Sequence, residues 1–593
     1  MNNLELAAIG NCQVSALLDR RARFVWCCLP RPDANPAFCS LLEPRGKLDL
    51  GVYEIELLDF SHSEQEYIRN TPIVQTTLHD TNGNAIRITD FAPRFELYGR
   101  VYRPVMLIRT VNPVQGWPRI RVRVRPAGEY GAKEAEVTHG SNHIRYVLQG
   151  MSIRLTTDVP LTTIMEEHAF VLTRPHHLVL ASDESIPQAT DEIARDHFGQ
   201  TKSYWESWVR GLAIPFDWQE AVIRAAITLK LCTFEDTGAV MAAMTTSLPE
   251  AADSGRNWDY RFCWLRDSYF VVKALNSLGA TRTMEAYLEY ILNVSFENGG
   301  QLQPVYSITG QADLTERNVD SLAGYRGMGP VRVGNQAFGQ VQNDVYGAVV
   351  LSATQYFFDR RLTRPGNEAS LQRMELLGEK AAELYNKPDA GIWEYRGRQR
   401  VHTFSSLMCW AACDRLARIC AQLNLGERSR NWRSKADEIR AAIFANAWDE
   451  KRQTFTDTAG RAELDASLLL MPSLGFIAGS DPRFLGTLNA IESELLRGDH
   501  MMRYHAEDDF GHPENAFNIC TFWYIDALAA VGRKAEAREL FENMLTHRNS
   551  MGLLSEDLDP QTGELWGNFP QTYSMVGIIN AAQRLSRNWE DEL

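Results

Sequence analysis

A switch of hydrophobic period near residue 188 predicts a two-part fold, an N-terminal antiparallel β-sandwich followed by an (α/α)6 barrel. Three observations carry this. The first ~185 residues alternate with period 2, in short runs broken by turn residues. From Thr190 onward the period becomes 3.6, over about twelve helical segments. The five segments richest in Trp, Tyr, Arg and carboxylates each fall just before, or at the start of, an even-numbered one of those helices.

In chain order, Arg119-Ile120-Arg121-Val122-Arg123-Val124 is a strict alternating strand. Val105 to Ile108, His143 to Leu148, Ser152 to Thr156, Phe170 to Thr173 and His177 to Leu180 are similar runs. Asn112-Pro113 and Asp80-Thr81-Asn82-Gly83 are expected to be turns between strands. This part is assigned to residues 1–187. Residues 188–214 form a helical linker, with Thr190 as N-cap and Ile193, His197, Tyr204, Trp205 and Trp208 as its apolar stripe.

Residues 215–593 hold the helices expected at 218–235, 267–279, 281–294, 341–358, 368–386, 403–424, 427–447, 465–473, 482–497, 515–531, 533–546 and 571–586. Gly279 and Gly532 punctuate two of the ends. If even-numbered helices form an inner ring and odd ones an outer ring, the segments 257–267, 334–344, 393–396, 503–517 and 556–573 meet at one end. That places a pocket at the N-terminal ends of the inner helices.

Composition bounds the function. A chain of 593 residues is long for one core, and 45% hydrophobic with 23% charged content is that of an ordinary globular protein. Sixty-one basic against 75 acidic residues leave a net charge of −14, which disfavours nucleic acid and anionic membranes and suits a small neutral ligand. Met1 to Leu6 has no basic segment before an apolar run, and no stretch reaches the roughly 18 apolar residues of a membrane helix. Of the ten cysteines, Cys232, Cys409, Cys420 and Cys520 sit inside apolar segments, Cys27 and Cys28 are adjacent, and there is no CxxC or His/Cys cluster at zinc spacing. The expectation is a cytoplasmic protein without metal or cofactor, its oligomeric state open.

Aromatic platforms for sugar C–H faces, with carboxylates and Arg for hydroxyls, occur together in Asn257-Trp258-Asp259-Tyr260-Arg261-Phe262-Cys263-Trp264-Leu265-Arg266-Asp267. Core packing and a local Arg266–Asp267 ion pair explain the same residues. Trp393-Glu394-Tyr395 places a carboxyl between two rings, and apolar surroundings raise a carboxyl pKa as a general acid requires. An exposed turn glutamate is the commoner use of such a tripeptide. The acidic run Ser555-Glu556-Asp557-Leu558-Asp559 could activate a water, or be a solvated loop. Gln340 to Asp344 is either polar pocket wall or helix cap, and Arg503 to Asp509 either binds hydroxyls or forms an ion-pair network. His176-His177 on a strand reads as structural, and no GxSxG, P-loop or dinucleotide fingerprint stands at a useful position.

In this order the segments resemble glycoside hydrolase family 15, the glucoamylases and prokaryotic trehalases. The resemblance runs through 257–267, 334–347, 391–410, 503–526 and 552–580, and Ala8 to Leu42 with Cys28-Leu29-Pro30-Arg31 resembles the N-terminal β-domain of prokaryotic members. It implies that Glu394 is the general acid and Glu556 the general base. It implies that Arg266 and Asp267 hold the non-reducing glucose, with Tyr260 and Trp264 in the same subsite, and that Arg503 bridges to the leaving-group sugar. Trp393 and Tyr573 are further candidate substrate contacts. Phe338 stands where fungal glucoamylases have Trp, and Tyr395 where they have a second Glu, so starch-like specificity is in doubt.

The implied reaction is inverting hydrolysis of an α-glucoside to β-glucose, with carboxyls roughly 6.5–9.5 Å apart to admit a water. Trehalose is the favoured substrate, ahead of maltodextrin or glycogen ends and an isomaltose-type linkage. Phosphorolysis would need an anion site where Ser555 to Asp559 is acidic, and a non-catalytic sugar-binding role is opposed by retention of both glutamates. The resemblance leaves any need for Mg²⁺ or phosphate open.

Overall fold

The computed structural model describes residues 3–43, 50–297, 300–363 and 365–591. Its first part is two antiparallel sheets. One has seven strands, six of them in spatial order Ala7–Gly10, Ser15–Leu18, Phe24–Cys28, Val52–Leu57, Arg119–Arg125 and Phe170–Val171, with Pro36–Phe38 paired to Phe24–Cys28. The other has eight, from Glu136–His139 at one edge to Phe60–Tyr67 at the other. Alternation decides what each face does. Ile120, Val122 and Val124 are buried, while Arg121 and Arg123 on the opposite face pair with Glu56 and Glu54 of the neighbouring strand. The buried pair Arg109–Asp90, at 2.7 Å, is the exception inside the sandwich, and Arg109 also donates to the Ala22 carbonyl.

Two expectations are corrected. Asn112-Pro113 is no turn, because Met106–Gln115 runs through it as one strand with a register shift between Pro113 and Gln115. Pairing to His176–Ser182 ends at Val111, so the missing N–H of Pro113 leaves no ladder bond unmade on that side. Thr190 is the first residue of its helix rather than the cap, and Ala189 precedes it without a side-chain cap bond. Asp80 to Gly83 does turn, closed by Asn82 and Asn84 N–H groups donating to Asp80 Oδ1 at 2.8 Å.

The helices are α1 (Leu161–Met165), α2 (Thr190–Arg210), α3 (Gln219–Leu231), α4 (Leu265–Ser277), α5 (Thr281–Glu297), α6 (Asp344–Phe358), α7 (Glu368–Leu384), α8 (Thr403–Gln422), α9 (Gly426–Ala447), α10 (Met471–Leu474), α11 (Pro482–Leu495), α12 (Asn518–Ala530), α13 (Lys534–Thr546) and α14 (Thr572–Leu585). A 3₁₀ stretch, Ala466–Leu470, leads directly into α10, so the helix expected at 465–473 is mostly 3₁₀. Local chemistry sets several ends: Asn367 caps the Ser370 N–H, Asp481 caps Arg483 ahead of Pro482, and Gly279 leaves α4 at φ +90°.

Helix α4 packs on α6, α6 on α8, α8 on the 466–470 stretch, that stretch and α10 on α12, α12 on α14, and α14 back on α4. The helices α3, α5, α7, α9, α11 and α13 lie against these from outside. This explains why α12 and α6 carry no polar stripe. They are enclosed nearly all round, as their buried residues show.

The sandwich buttresses the helical part beside the aromatic segment. Arg261, fully buried and paired with Asp259, donates to the Ala34 carbonyl at 2.7 Å and to Tyr130 Oη at 2.9 Å. Trp26 Nε1 donates to the Met244 carbonyl at 2.9 Å.

Candidate active site

At the N-terminal ends of α4, α6, α8, α12 and α14 lies a pocket partly open to solvent, with a cavity volume of about 90 Å³. Tyr260 and Trp264 line it from the segment before α4, Arg266 and Asp267 from the start of α4; Trp393, Glu394 and Tyr395 from the loop before α8; Arg503 from the loop before α12; and Tyr573 from α14. Two predicted residues stand behind this wall. Phe338 packs with Tyr260 and Trp264 in a small apolar cluster, and Glu556 is fully buried beside the wall.

Glu394 sits in a turn that few side chains adopt, at φ +60°, its N–H donating to the Gly391 carbonyl at 3.2 Å. Gly391 is needed there, because at φ +69° a Cβ would lie 2.8 Å from the His402 ring. The carboxylate is held through one oxygen: Oε1 accepts from Trp264 Nε1 at 2.7 Å and Gln342 Nε2 at 3.1 Å, with Arg266 Nη2 at 3.5 Å. Gln340 Nε2 donates to the Glu394 carbonyl at 3.1 Å. The polar run before α6 therefore faces the pocket, and Asn343 makes no side-chain cap. Trp393 is fixed by donating to Asp465 Oδ2 at 2.5 Å.

Arg266 is the buried hub. Its Nη1 donates to Gln342 Oε1 at 2.9 Å and to Asp344 Oδ2 at 3.3 Å, and its Nε lies 3.3 Å from Asp267 Oδ1. Burial, together with the charges of Glu394 and Asp344, pushes the Asp267 carboxyl up to about 6 despite this cation.

Glu556 precedes a short hairpin, Asp557–Leu558 with Leu565–Trp566, rather than lying in a solvated loop. Its Oε2 accepts from the Asn568 N–H at 3.3 Å, while Oε1 has no partner among the described residues. Burial and the nearby Glu250 carboxylate push the Glu556 carboxyl well above the usual range, against the pull of Tyr260 and Arg503. Gly567 allows the fit, since at φ +75° its Cβ would lie 2.7 Å from Glu556 Cβ and 2.8 Å from Oε2. Gly567→Ala, strained at φ +75°, is expected to lower the melting temperature and, by displacing that carboxyl, to change kcat/KM by up to about 10²-fold; a native melting temperature with unchanged kinetics would show that the fit at Gly567 is not needed.

Sequence reasoning missed Glu250, Arg256, Glu316 and Gln571. Glu250 accepts from Trp258 Nε1 at 2.9 Å and from Arg503 Nη2 at 2.7 Å. Arg256 forks onto Asp508 with two bonds of 2.6 Å, so the 503–509 segment is both pocket wall and ion-pair network. Glu250 lies in Leu248-Pro249-Glu250-Ala251, where no aromatic neighbour signals a site.

Ring faces for C–H bonds, amide and guanidinium donors for hydroxyls, one carboxyl on the pocket wall and another buried beside it are equipment for cleaving a sugar acetal, and the chain is a glycoside hydrolase. The profile of Glycosyl hydrolases family 15 matches residues 217–583, and that of the Trehalase-like N-terminal domain matches residues 3–161. The chain belongs to family 15. It is 31% identical to a trehalase of Thermoplasma volcanium, covering 97% of this chain and 92% of that one. It is 32% identical to a trehalase of Mycolicibacterium smegmatis, covering 98% and 91%. A bacterial glucoamylase complexed with acarbose shares the fold, with a TM-score of 0.69 at 14% identity over 98% of this chain and 93% of that chain. That confirms a sheet domain followed by a helical domain as in glucoamylase. No described helix is long and apolar enough to cross a membrane, and all ten cysteines are free and buried.

Proposed function

We propose that this enzyme is an inverting trehalase, with Glu394 as general acid and Glu556 as general base. The observation that carries the reading is the asymmetric hold on Glu394. Three donors converge on Oε1, so a proton on the carboxyl belongs on Oε2, free to be given to the glycosidic oxygen. The unpartnered Oε1 of Glu556 is then the acceptor for a water proton, and its raised pKa predicts an acid limb in kcat/KM, because the base must be ionised to act. The trehalases matched over more than nine-tenths of this chain support the substrate. The circuit of helices supports an (α/α)6 barrel at 215–593, with 1–187 as sandwich and 188–214 as linker. Buried thiols suit a reducing cytoplasm. The net charge of −14 suits a neutral sugar rather than nucleic acid or membrane.

The rim supports a two-sugar substrate. Arg396, two residues after Glu394, forks onto Glu316 at 3.0 and 2.7 Å, donates its N–H to Asp509 at 2.7 Å and lies 4.3 Å over the Trp258 ring. This charged strap lies on the pocket wall beside Glu394, and we read it as limiting the space beyond a second sugar.

Glucose release from trehalose, maltose, isomaltose and maltoheptaose, with anomers read by NMR, tests the proposal. Trehalose is expected to be cleaved fastest, giving equal α- and β-glucose at early times, since one ring inverts and the other leaves unchanged. Only α-glucose would mean retention; faster cleavage of maltoheptaose would mean a glucoamylase. Arg396→Ala is expected to raise the maltotriose-to-trehalose ratio of kcat/KM roughly tenfold, about 1.4 kcal/mol of relative barrier.

A further inference from the structure

We propose that the outer face of the sandwich binds one divalent transition-metal ion of the Zn²⁺ type through His62, Glu64 and His79. His62 and Glu64 are two apart on the edge strand Phe60–Tyr67, so their side chains leave the same face. His79 lies directly opposite His62 in the antiparallel pairing with Val74–Asp80. The sheet thus sets three ligands at one spot without help from any loop, and one ligand atom of each lies within 4.8 Å of the others. Tetrahedral coordination needs those atoms roughly 1.5 Å closer, given metal–ligand bonds of about 2 Å, and side-chain rotation on an exposed face supplies that.

Two features point to a ligand rather than an idle cluster, beside two imidazoles whose centroids lie 4.5 Å apart with planes 3° from parallel, so that one ring must turn for both in-plane lone pairs to meet one ion. His79 Nε2 is buried without a partner among the described residues. Ser61 Oγ lies 3.3 Å from His62 Nδ1, and with Nδ1–H donating to it the Nε2 lone pair is left for a metal. Two imidazoles and one carboxylate select a borderline cation over Mg²⁺ or Ca²⁺, which prefer all-oxygen shells. The ion would clip the sheet's edge strand to its neighbour and leave a fourth position to water.

Zn²⁺ titration of the chelator-treated full chain by calorimetry tests this. Wild type is expected to take up one more equivalent than His62→Ala/His79→Ala, and Zn²⁺ to raise the melting temperature of wild type alone. Glu64→Gln is expected to weaken that equivalent about 10-fold or more. Trehalose hydrolysis without metal should be the same in all three. Equal uptake by the double variant, or none by wild type, would overturn the site.

Discussion

Glu394→Gln is expected to lower kcat/KM on trehalose by about 10²–10⁴-fold, or ~3–5.5 kcal/mol of transition-state stabilisation. The same variant should still hydrolyse α-glucosyl fluoride at close to the wild-type rate, because fluoride departs as an anion and needs no proton. Gln keeps the side-chain oxygen that accepts from Trp264, Gln342 and Arg266, so the pocket should hold its shape. Glu556→Gln is expected to lose a similar factor on both substrates, since the water must be activated whatever leaves. Azide, which needs no base, should then restore turnover to Glu556→Gln on the fluoride. If the fluoride rescues Glu556→Gln and not Glu394→Gln, the two roles are exchanged. If neither variant loses more than about tenfold on trehalose, neither residue is the acid or base.

Arg266→Ala carries the second large effect, and on two observables. The guanidinium is buried among Asp267, Asp344 and Glu394, and removing one partner of such a cluster costs about 3–5 kcal/mol because the remaining charges lose their counterion. A fall of many degrees in melting temperature is expected, together with a loss of ~10³-fold or more in kcat/KM from the undirected Glu394 carboxyl. The sign of the pH dependence is a check on the cause. Without the cation Asp267, already raised to about 6, rises further, so the folded variant binds protons that the unfolded chain releases. Its stability should therefore fall as pH rises through and above 6, more steeply than wild type. Arg266→Lys should recover part of the stability but little of the activity, since one ammonium cannot reproduce the fork reaching Gln342, Asp344 and Glu394. An Arg266→Ala protein with normal melting and kinetics would leave the hub without a role.

The period of the hydrophobic residues was enough to read strands before helices, because alternation at 2.0 and 3.6 is the direct mark of which face each element buries. Eleven of the twelve expected helical segments lie within a few residues of observed α-helices, including α12, whose flanks are the aromatic segment before it and Gly532 after it, and the twelfth, 465–473, is mostly 3₁₀. The pocket's position was also legible, because side chains that meet at one end of a ring must recur at the start of every second helix. The failures came from neighbours in space. Asn112-Pro113 has turn composition, yet it continues a strand because it pairs with Arg87 and Ile86 on one side, while the other neighbour has ended and Pro113 owes it no N–H. Ser555 to Asp559 leaves a solvated loop open as one of two readings, and that reading fails because the hairpin and Gly567 bury Glu556 and Asp557.

The sequence by itself determined the order of the two parts, the ends of most helices and which five segments face one another. Each of these rests on residues close together in the chain, whose preferences are set by local sterics and by burial of one face. Only the tertiary structure decided what surrounds each charge: that three donors converge on Glu394, that Glu250 joins Trp258 to Arg503, and that His62 and His79 stack across a strand pair. Such contacts join residues far apart in the chain, and a carboxyl's chemistry follows from the dielectric and the partners around it rather than from its sequence neighbours.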